Sequence, residues 1–231
     1  MDRALVVMAK EPQAGQTKTR LSPPLSDRQA AELYRCFLLD TLELMQRVGS
    51  VQPIIAYDPA EAEPFFRHFA PPGFDFIPQV GADLGERLDH VLTHCLQNGY
   101  RQAVVTDSDS PTLPLAYLRQ AFSELDDPDV DVVLGPCDDG GYYLIGLKSP
   151  CSALFRGIAM STSSVLADTL QRAREQGLRA VCLPHWYDVD THEGLTRLAE
   201  ELSSRPDHPA QHTRTFLLDT VELPPGSPGR S

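Results

Sequence analysis

The sequence predicts an α/β protein built around a parallel β-sheet, and three observations lead to this class. Short apolar runs rich in β-branched residues alternate with longer segments of helical periodicity along most of the 231 residues. The resulting β-α-β-α order indicates parallel strands that are joined by right-handed crossovers. The central run, Ala103 to Val105, is apolar at successive positions, as expected for a strand that is buried on both faces.

The strands are predicted wherever a short apolar run ends at turn-forming residues. The first run, from Ala4 to Ala9, leads into a loop with Pro12 and Gly15. The later runs are bounded in the same way by Pro, Gly, Asp or Ser. The predicted strands are 4–9, 51–57, 74–77, 103–105, 130–134, 142–147 and 179–183.

The helices are predicted from apolar residues that recur every three or four positions. The longest begins after Ser26, which is a suitable N-cap, and presents Leu33, Phe37 and Leu38 on one face. Each helix follows a predicted strand, so each can cover the sheet. The predicted helices are 26–48, 60–69, 86–98, 114–125, 162–176 and 193–203.

Residues 1–205 are predicted to form one domain, because this length is ordinary for a single α/β core. Residues 206–231 contain five prolines, and the last eight are Pro, Gly, Ser and Arg. We therefore predict a Pro-rich, poorly ordered tail over 206–231, with one short edge strand at Thr215 to Leu218.

The net charge limits the binding partners that this protein can have, and the cysteine content indicates its cellular compartment. With 20 Lys and Arg against 32 Asp and Glu, the formal charge of −12 disfavours nucleic acid and anionic membranes as partners. Five scattered cysteines without a C-x-x-C pair indicate reduced thiols. The apolar run from Ala4 to Ala9 is too short to span a membrane. We expect a soluble, cytoplasmic protein whose oligomeric state the sequence leaves open.

Two carboxylates follow the central strand, at Asp107 and Asp109. If the extended backbone persists through Ser108, both side chains project the same way beyond the carboxyl edge of the sheet, where α/β folds bind ligands. Two hard oxygen ligands suit Mg²⁺ or Mn²⁺ together with substrate phosphates. The alternative is a turn in which Asp109 or Ser110 caps the next helix.

The loop after the first strand gathers Lys10, Lys18 and Arg20 around Pro12 and Gly15. Cations and backbone amides in this position can hold phosphate groups. The spacing matches neither a Walker loop nor the G-x-G-x-x-G fingerprint, which excludes both of these nucleotide-binding modes. The alternative is a solvated basic loop.

Two further acidic segments stand at predicted strand ends. Asp138 and Asp139 precede Gly140-Gly141, a step that indicates either a sharp bend or the close approach of a ligand. Asp188 and Asp190 repeat the alternate spacing of the central pair. The alternatives are an ordinary Asp/Gly turn for the first segment and, for the second, Thr191 capping the following helix.

Together, Lys10-x-Pro-x-x-Gly15-x-x-Lys18-Thr-Arg20-Leu, Asp107-Ser-Asp109-Ser-Pro, Asp138-Asp139-Gly-Gly-Tyr-Tyr and Asp188-Val-Asp190-Thr resemble one known family. This family comprises the radical-SAM/selenodomain-associated transferases, also described as arsenosugar-biosynthesis glycosyltransferases, in the nucleotide-diphospho-sugar transferase superfamily. The resemblance covers about residues 4 to 203 in motif order. It implies a GT-A type fold, a Rossmann-like, mixed and mostly parallel sheet with helices on both faces.

The resemblance also implies roles for individual residues. The first loop, with Lys10, Gly15, Lys18 and Arg20, would bind the phosphates of a nucleotide. The remaining roles are a metal site made of Asp107, Asp109 and Asp190, contact with the base by Gln79, and a position facing the acceptor for Asp139, the candidate catalytic base.

Three functions are compatible with these residues. The first is a glycosyltransferase that depends on Mg²⁺ or Mn²⁺ and uses a nucleotide-diphospho-sugar donor and a small-molecule acceptor. The second is a nucleotidylyltransferase that releases pyrophosphate from a nucleoside triphosphate, because the Lys18-Thr19-Arg20-Leu21 segment also resembles phospholactate guanylyltransferases. The third is a non-enzymatic nucleotide-binding relic, since a fold does not fix a function.

Overall fold

The computed structural model describes residues 1–160 and 162–220, with only the backbone considered at 219 and 220. It contains a seven-stranded sheet whose strands lie where the sequence predicts them, with ends that differ by no more than three residues. No helix in the described ranges combines the length and apolar character that crossing a membrane requires. The strands are β1 (Arg3–Lys10), β2 (Gln52–Asp58), β3 (Asp75–Pro78), β4 (Gln102–Thr106), β5 (Val132–Pro136), β6 (Tyr142–Leu147) and β7 (Ala180–Cys182).

The sheet order is β3-β2-β1-β4-β6-β5-β7, and only β6 runs antiparallel to its neighbours. The prediction of a mixed, mostly parallel sheet is therefore confirmed. The chain moves outward from β1 to β2 and β3 on one side, and β4 returns to pair with β1 on the other. Such a reversal of strand order opens a crevice at the carboxyl ends of the two central strands.

Helices cover both faces of the sheet and form two separate cores. Alternation along β1 places Leu5 and Val7 in one core, and Ala4 and Val6 in the other. Apolar residues of α3 and α5 join the second core, whereas the remaining helices pack in the first. The helices are α1 (Asp27–Gln46), α2 (Glu63–Phe69), α3 (Leu84–Gln97), α4 (Leu115–Asp126), α5 (Val165–Glu175), α6 (His192–Ser204) and α7 (Gln211–Thr220).

The last helix, α7, corrects the prediction of an edge strand at Thr215 to Leu218, because these residues are helical. Phe216 and Leu217 pack into the first core. The buried carboxylate of Asp40 on α1 accepts hydrogen bonds from the backbone N–H groups of His212 and Thr213, at 3.0 and 2.8 Å. A tertiary cap thus satisfies amides at the start of the helix. The rest of the predicted tail, 221–231, lies outside the described residues.

We expect Asp40→Ala to lower the free energy of unfolding by about 1–2 kcal/mol, because α7 loses its cap and two amide groups lose their acceptor. For a protein of this size the melting temperature should fall by about 2–8 °C. Thermal unfolding followed by circular dichroism measures this change. Glu43→Ala is the matched control: Glu43 lies on the same helix and contacts His212 at the surface. Equal effects of the two variants would contradict the capping role of Asp40.

Candidate active site

A cleft of about 620 Å³ opens at the carboxyl ends of β1 and β4. The loop after β1 forms one wall, and the segment from Gln79 to Arg87 forms the other. Asp107, Asp109 and Asp190 lie on its floor. The fold thus brings the basic first loop and two acidic segments, which are far apart in sequence, to one place.

The first loop turns tightly before it reaches the cleft. The carbonyl oxygen of Gln13 accepts hydrogen bonds from the N–H groups of Gln16 and Thr17 and from the Thr17 hydroxyl. Gly15 has a φ of +75°, which this turn requires, but it is exposed and does not line the cleft. Lys10, Lys18 and Arg20 do line the cleft.

Lys18 points inward from this loop and contacts the acidic floor. Its Nζ lies 2.7 Å from Asp109 Oδ1 and 2.6 Å from Asp190 Oδ1, and it donates to the carbonyl oxygen of Val189 at 2.9 Å. Its side chain is only 5% exposed. Arg20 is 76% exposed, and its Nη1 lies 4.0 Å from Asp190 Oδ2. Of these two predicted phosphate-binding residues, Arg20 is the one whose side chain is open to a ligand.

The central acidic segment forms a turn instead of continuing the strand. β4 ends at Thr106, and the carboxylate of Asp107 accepts from the N–H of Asp109 at 3.3 Å and from the Ser110 hydroxyl at 3.1 Å. The expectation of an extended backbone through Ser108 is therefore wrong, because this local turn satisfies Asp107. The alternative of a helix cap is also wrong, since α4 begins after Pro114 without a side-chain cap.

A chain of hydrogen bonds holds Ser108 between the two carboxylates. The N–H of Lys10 donates to the Tyr34 hydroxyl at 3.0 Å, and the Ser108 hydroxyl donates to the carbonyl oxygen of Met8 at 2.9 Å. Because Ser108 has one hydroxyl proton, the Tyr34 hydroxyl must donate to Ser108 Oγ, which lies 2.9 Å away. Tyr34 on α1 therefore links the end of β1 to the central acidic turn.

The two acidic segments are joined to each other by their backbones. The N–H of Val189 donates to the carbonyl oxygen of Asp109 at 2.9 Å, and the Ser110 hydroxyl shares its one proton between Asp107 and the carbonyl oxygen of Tyr187, which lies 3.0 Å away. The Thr191 hydroxyl accepts from the N–H of Gly194 at 3.2 Å and caps α6, as the capping alternative predicts. Asp190 nevertheless projects into the cleft, so capping and site formation use different residues of one segment.

Burial and crowding of these carboxylates shift their pKa values. Burial, together with the charges of Asp109 and Asp188, raises the pKa of Asp107 well above its usual range. Burial also raises the pKa of Asp109, although Lys18 opposes the shift. Burial and the charge of Asp190 raise the pKa of Asp188 to about 6. For Asp190, burial acts in the same direction, but Lys18, Arg20 and Lys10 together outweigh it and the pKa is lowered. One ammonium group is thus insufficient to balance the acidic floor.

Gln79 lies across the ends of β1 and β2 at the opposite wall. Its Nε2 donates to the carbonyl oxygens of Ala9 and Ala56, at 3.2 and 2.7 Å. Both amide hydrogens are therefore used by the backbone, and Gln79 can offer a base its carbonyl oxygen Oε1. Arg87 nearby is held by Asp58 at 3.1 Å and donates to the carbonyl oxygen of Gly81 at 3.2 Å.

Asp139 is exposed and is not among the residues that line the cleft. Its Oδ1 accepts from the N–H of Gly141 at 2.8 Å, as in an ordinary Asp/Gly turn. Gly140 has a φ of +90°, and a Cβ there would lie 2.1 Å from the carbonyl oxygen of Ser163. The close approach predicted for the Gly-Gly step is thus made by the protein's own backbone.

The donor chemistry of the acidic floor fits a hard divalent cation, because it consists of carboxylate oxygens with excess negative charge. Asp107, Asp109 and Asp190 do not form a group whose ligand atoms all lie within 4.8 Å of one another, and the Lys18 ammonium group contacts both Asp109 and Asp190. Among the residues that the structure describes, the one group that meets this distance is Asp40, Glu43 and His212. In that group the Asp40 carboxylate caps α7, which gives it a structural role.

A family profile described as "Uncharacterized protein conserved in bacteria (DUF2064)" matches residues 41–162, more than half of the chain. The chain belongs to the DUF2064 family. A candidate nucleotide-diphospho-sugar transferase from Desulfovibrio desulfuricans G20, known from a crystal structure, has 32% sequence identity to this chain. The match covers 94% of each chain with a TM-score of 0.86. This DUF2064 chain therefore has the fold of the nucleotide-diphospho-sugar transferases.

Two further proteins are similar to this DUF2064 chain. The 2-phospho-L-lactate guanylyltransferase of Methanothermobacter thermautotrophicus is 25% identical over 214 residues, which cover 91% of this chain and 89% of the relative. The manganese complex of Rv0371c from Mycobacterium tuberculosis H37Rv matches with a TM-score of 0.52 and 19% identity, covering 87% of this chain and 98% of that one. The relatives support a transferase, whereas the association with radical-SAM proteins has no support among them.

Sequence reasoning missed two residues that shape the cleft, Tyr34 and Arg87. Tyr34 fits the apolar face of α1, so its helical spacing gives no reason to single it out. The one feature that could have revealed its role is the hydroxyl group, because a tyrosine on a buried helix face usually has a hydrogen-bond partner inside the protein. Arg87 stands in the first turn of α3 and becomes a cleft residue only when β3 and α3 are placed beside β1.

Proposed function

We propose that this protein is a metal-dependent nucleotidylyltransferase, which joins the nucleotide of a nucleoside triphosphate to a small phosphorylated acceptor and releases pyrophosphate. The observation that carries the proposal is the cleft itself: its basic first loop stands directly above a carboxylate floor. The relation to a guanylyltransferase over 91% of this chain supports the same chemistry.

The residues of the cleft suit the charges of such a reaction. An oxygen of the acceptor phosphate attacks the α-phosphorus, and the bond from the α-phosphorus to the bridging oxygen breaks as pyrophosphate leaves. Lys10 and Arg20 lie where they can stabilise the departing charge, and Gln79 can accept a hydrogen bond from the base through Oε1.

Asp109 and Asp190, with Asp107, would hold Mg²⁺ or Mn²⁺ at the floor of the cleft. When bound, such a cation neutralises phosphate oxygens and polarises the reacting phosphorus. The turn at Asp107 and the hydrogen-bond chain through Tyr34 fix the acidic segment before a ligand arrives, which limits the reorganisation that binding requires.

Transfer of a sugar from a nucleotide-diphospho-sugar is the second candidate, because the D. desulfuricans protein that bears this description is 32% identical over 94% of its chain. The same cation site and first loop would then stabilise a nucleoside diphosphate as the leaving group. Asp139 is the candidate base for this reaction. We rank it second because that carboxylate lies in a turn outside the cleft lining.

Product analysis separates the two reactions. We expect pyrophosphate release from one of the four nucleoside triphosphates in the presence of Mn²⁺ and a phosphorylated hydroxy acid or sugar phosphate. A coupled pyrophosphate assay and mass spectrometry of the nucleotidyl product measure it. Arg20→Met should reduce the rate about tenfold or more, because it removes a cation from the leaving group. Arg28→Met is the control, since Arg28 is exposed on α1 and does not line the cleft.

Acceptor-dependent release of a nucleoside diphosphate from nucleotide sugars, without pyrophosphate from any triphosphate, would overturn the first candidate in favour of the second. Binding of nucleotides without either reaction and without dependence on metal would favour a non-enzymatic role.

A further inference from the structure

Three oxygen atoms surround the ammonium group of Lys18. An ammonium group has three N–H donors, and three oxygens surround this one, those of Asp109, Asp190 and Val189. All three distances are 2.9 Å or less. Lys18 therefore has no donor left for a phosphate group while these contacts persist.

The surroundings of Lys18 also keep its ammonium group in place. The ring centres of Tyr34 and Phe37, both on α1, lie 6.0 and 5.7 Å from Nζ. The backbone of Lys18 is left-handed, with a φ of +51°, and directs the side chain from an exposed loop into the protein. Lys18 thus connects three segments of the cleft: the first loop, the central turn and the Asp190 segment.

Two of the three oxygens that hold Lys18, those of Asp109 and Asp190, are those that would also ligate a metal ion. A divalent cation bound to Asp109 and Asp190 would share both carboxylates with the ammonium group, and like charges on shared ligands repel. The two carboxylates therefore cannot hold both cations equally well.

We propose that the Lys18 ammonium group and a divalent cation compete for the carboxylates of Asp109 and Asp190, so that metal loading releases Lys18 toward the phosphates of the nucleotide. The inference rests on the proposed function for the identity of the ligand. Beyond that function, Lys18 would occupy the metal-binding carboxylates and weaken metal binding until the phosphate oxygens of a nucleotide accept its hydrogen bonds. Metal and nucleotide then bind with positive coupling, because the phosphates receive the displaced ammonium group.

Titration of the protein with Mn²⁺ alone, without nucleotide or acceptor, tests the competition. We expect Lys18→Met to bind Mn²⁺ at least tenfold more tightly than the wild type in calorimetry, or by loss of the free Mn²⁺ signal in electron paramagnetic resonance. Arg20→Met is the matched control, since it removes a positive charge from the same loop but from a side chain that is 76% exposed. It should change the affinity less than threefold, because solvent screens that charge.

Unchanged or weaker Mn²⁺ binding in Lys18→Met would overturn the competition, as would an equal gain in Arg20→Met. The outcome is independent of the proposed reaction, because no turnover is measured. A protein that transfers neither nucleotide nor sugar could still show the exchange of cations.

A second measurement uses the wild type and does not depend on the folding of a variant. Acylation of lysines by a soluble succinimidyl ester, read by mass spectrometry, reports which amines are free. We expect labelling of Lys18 to rise at least fivefold in 20 mM Mn²⁺. Lys148, whose Nζ is held by backbone carbonyls away from the cleft, should not change and serves as the internal control. Labelling of Lys18 that Mn²⁺ leaves unchanged would overturn the proposal.

Discussion

Asp109→Asn is expected to lower the rate of nucleotidyl transfer about 100-fold or more and to weaken Mn²⁺-dependent nucleotide binding at least about tenfold. The substitution keeps the shape of the side chain but removes a charge from the floor of the cleft. Loss of one preorganised electrostatic group typically costs 10²–10³ in rate, and a tenfold loss of affinity equals about 1.4 kcal/mol. Steady-state kinetics and calorimetric titration, with Mn²⁺ and with a chelator, measure the two effects.

The same substitution should change the free energy of unfolding by less than about 1 kcal/mol. Burial and the nearby carboxylates already disfavour the ionised form of Asp109 and raise its pKa, so a neutral side chain relieves repulsion. Asp190 and the carbonyl of Val189 still hold Lys18. Asp126→Asn is the matched control, because Asp126 also pairs with a cation, Arg3, but far from the cleft. Wild-type kinetics with a lowered melting temperature would refute the role of Asp109.

Gly140→Ala is expected to destabilise the protein by more than about 3 kcal/mol, which corresponds to a melting temperature lower by about 6–12 °C or more. Gly140 adopts a φ of +90°, and its new Cβ would meet the backbone of Ser163 at 2.1 Å. The clash cannot relax through a side-chain rotation, because the backbone of residue 140 fixes the position of the Cβ and its partner is a backbone atom. Moving the turn would also strain the hydrogen bond from the N–H of Leu166 to the carbonyl oxygen of Gly140.

Gly99→Ala provides the comparison that isolates the clash. Gly99 has a φ of +99°, but nothing lies within 4 Å of the position that a Cβ would occupy. Gly99→Ala should therefore lower the free energy of unfolding only by the cost of placing an L-residue at positive φ, about 1–2 kcal/mol. Chemical unfolding of both variants measures the difference. Equal losses would show that backbone conformation, and not contact with Ser163, explains the glycine at 140.

The strands could be located from the sequence because each is a short apolar run that ends at turn-forming residues, and the mixed character of the sheet followed from the family resemblance. The sequence was not sufficient for α7, where Thr215 to Leu218 resembles a short strand as readily as a helix. The tertiary contact from Asp40 favours the helix there, and no local pattern reveals a cap that stands on another element.

The candidate site shows the same division between local and tertiary signals. The acidic and basic segments could be located from their positions at strand ends, and the structure brings both to one cleft. The ion pairs of Lys18 with Asp109 and Asp190 could not be predicted. They depend on the left-handed backbone of Lys18 and on the meeting of three segments that are far apart in sequence. The turn at Asp107 was part of the capping alternative, and hydrogen bonds within the segment form this turn without a side-chain cap on α4.

The ion pair between Lys18 and Asp190 joins residues that are 172 positions apart. The free-energy cost of closing a loop grows with the logarithm of its length, and for this contact the length-dependent part is about 4.6 kcal/mol. For the first strand pairing, Ala4 with Gln52, it is about 3.4 kcal/mol. Contacts of this range form after the shorter ones, which reduce the entropy that the longer ones still have to lose. A partly folded chain therefore lacks the completed cleft, and a ligand that binds there selects molecules in which the first loop, the end of β4 and the Asp190 segment have come together.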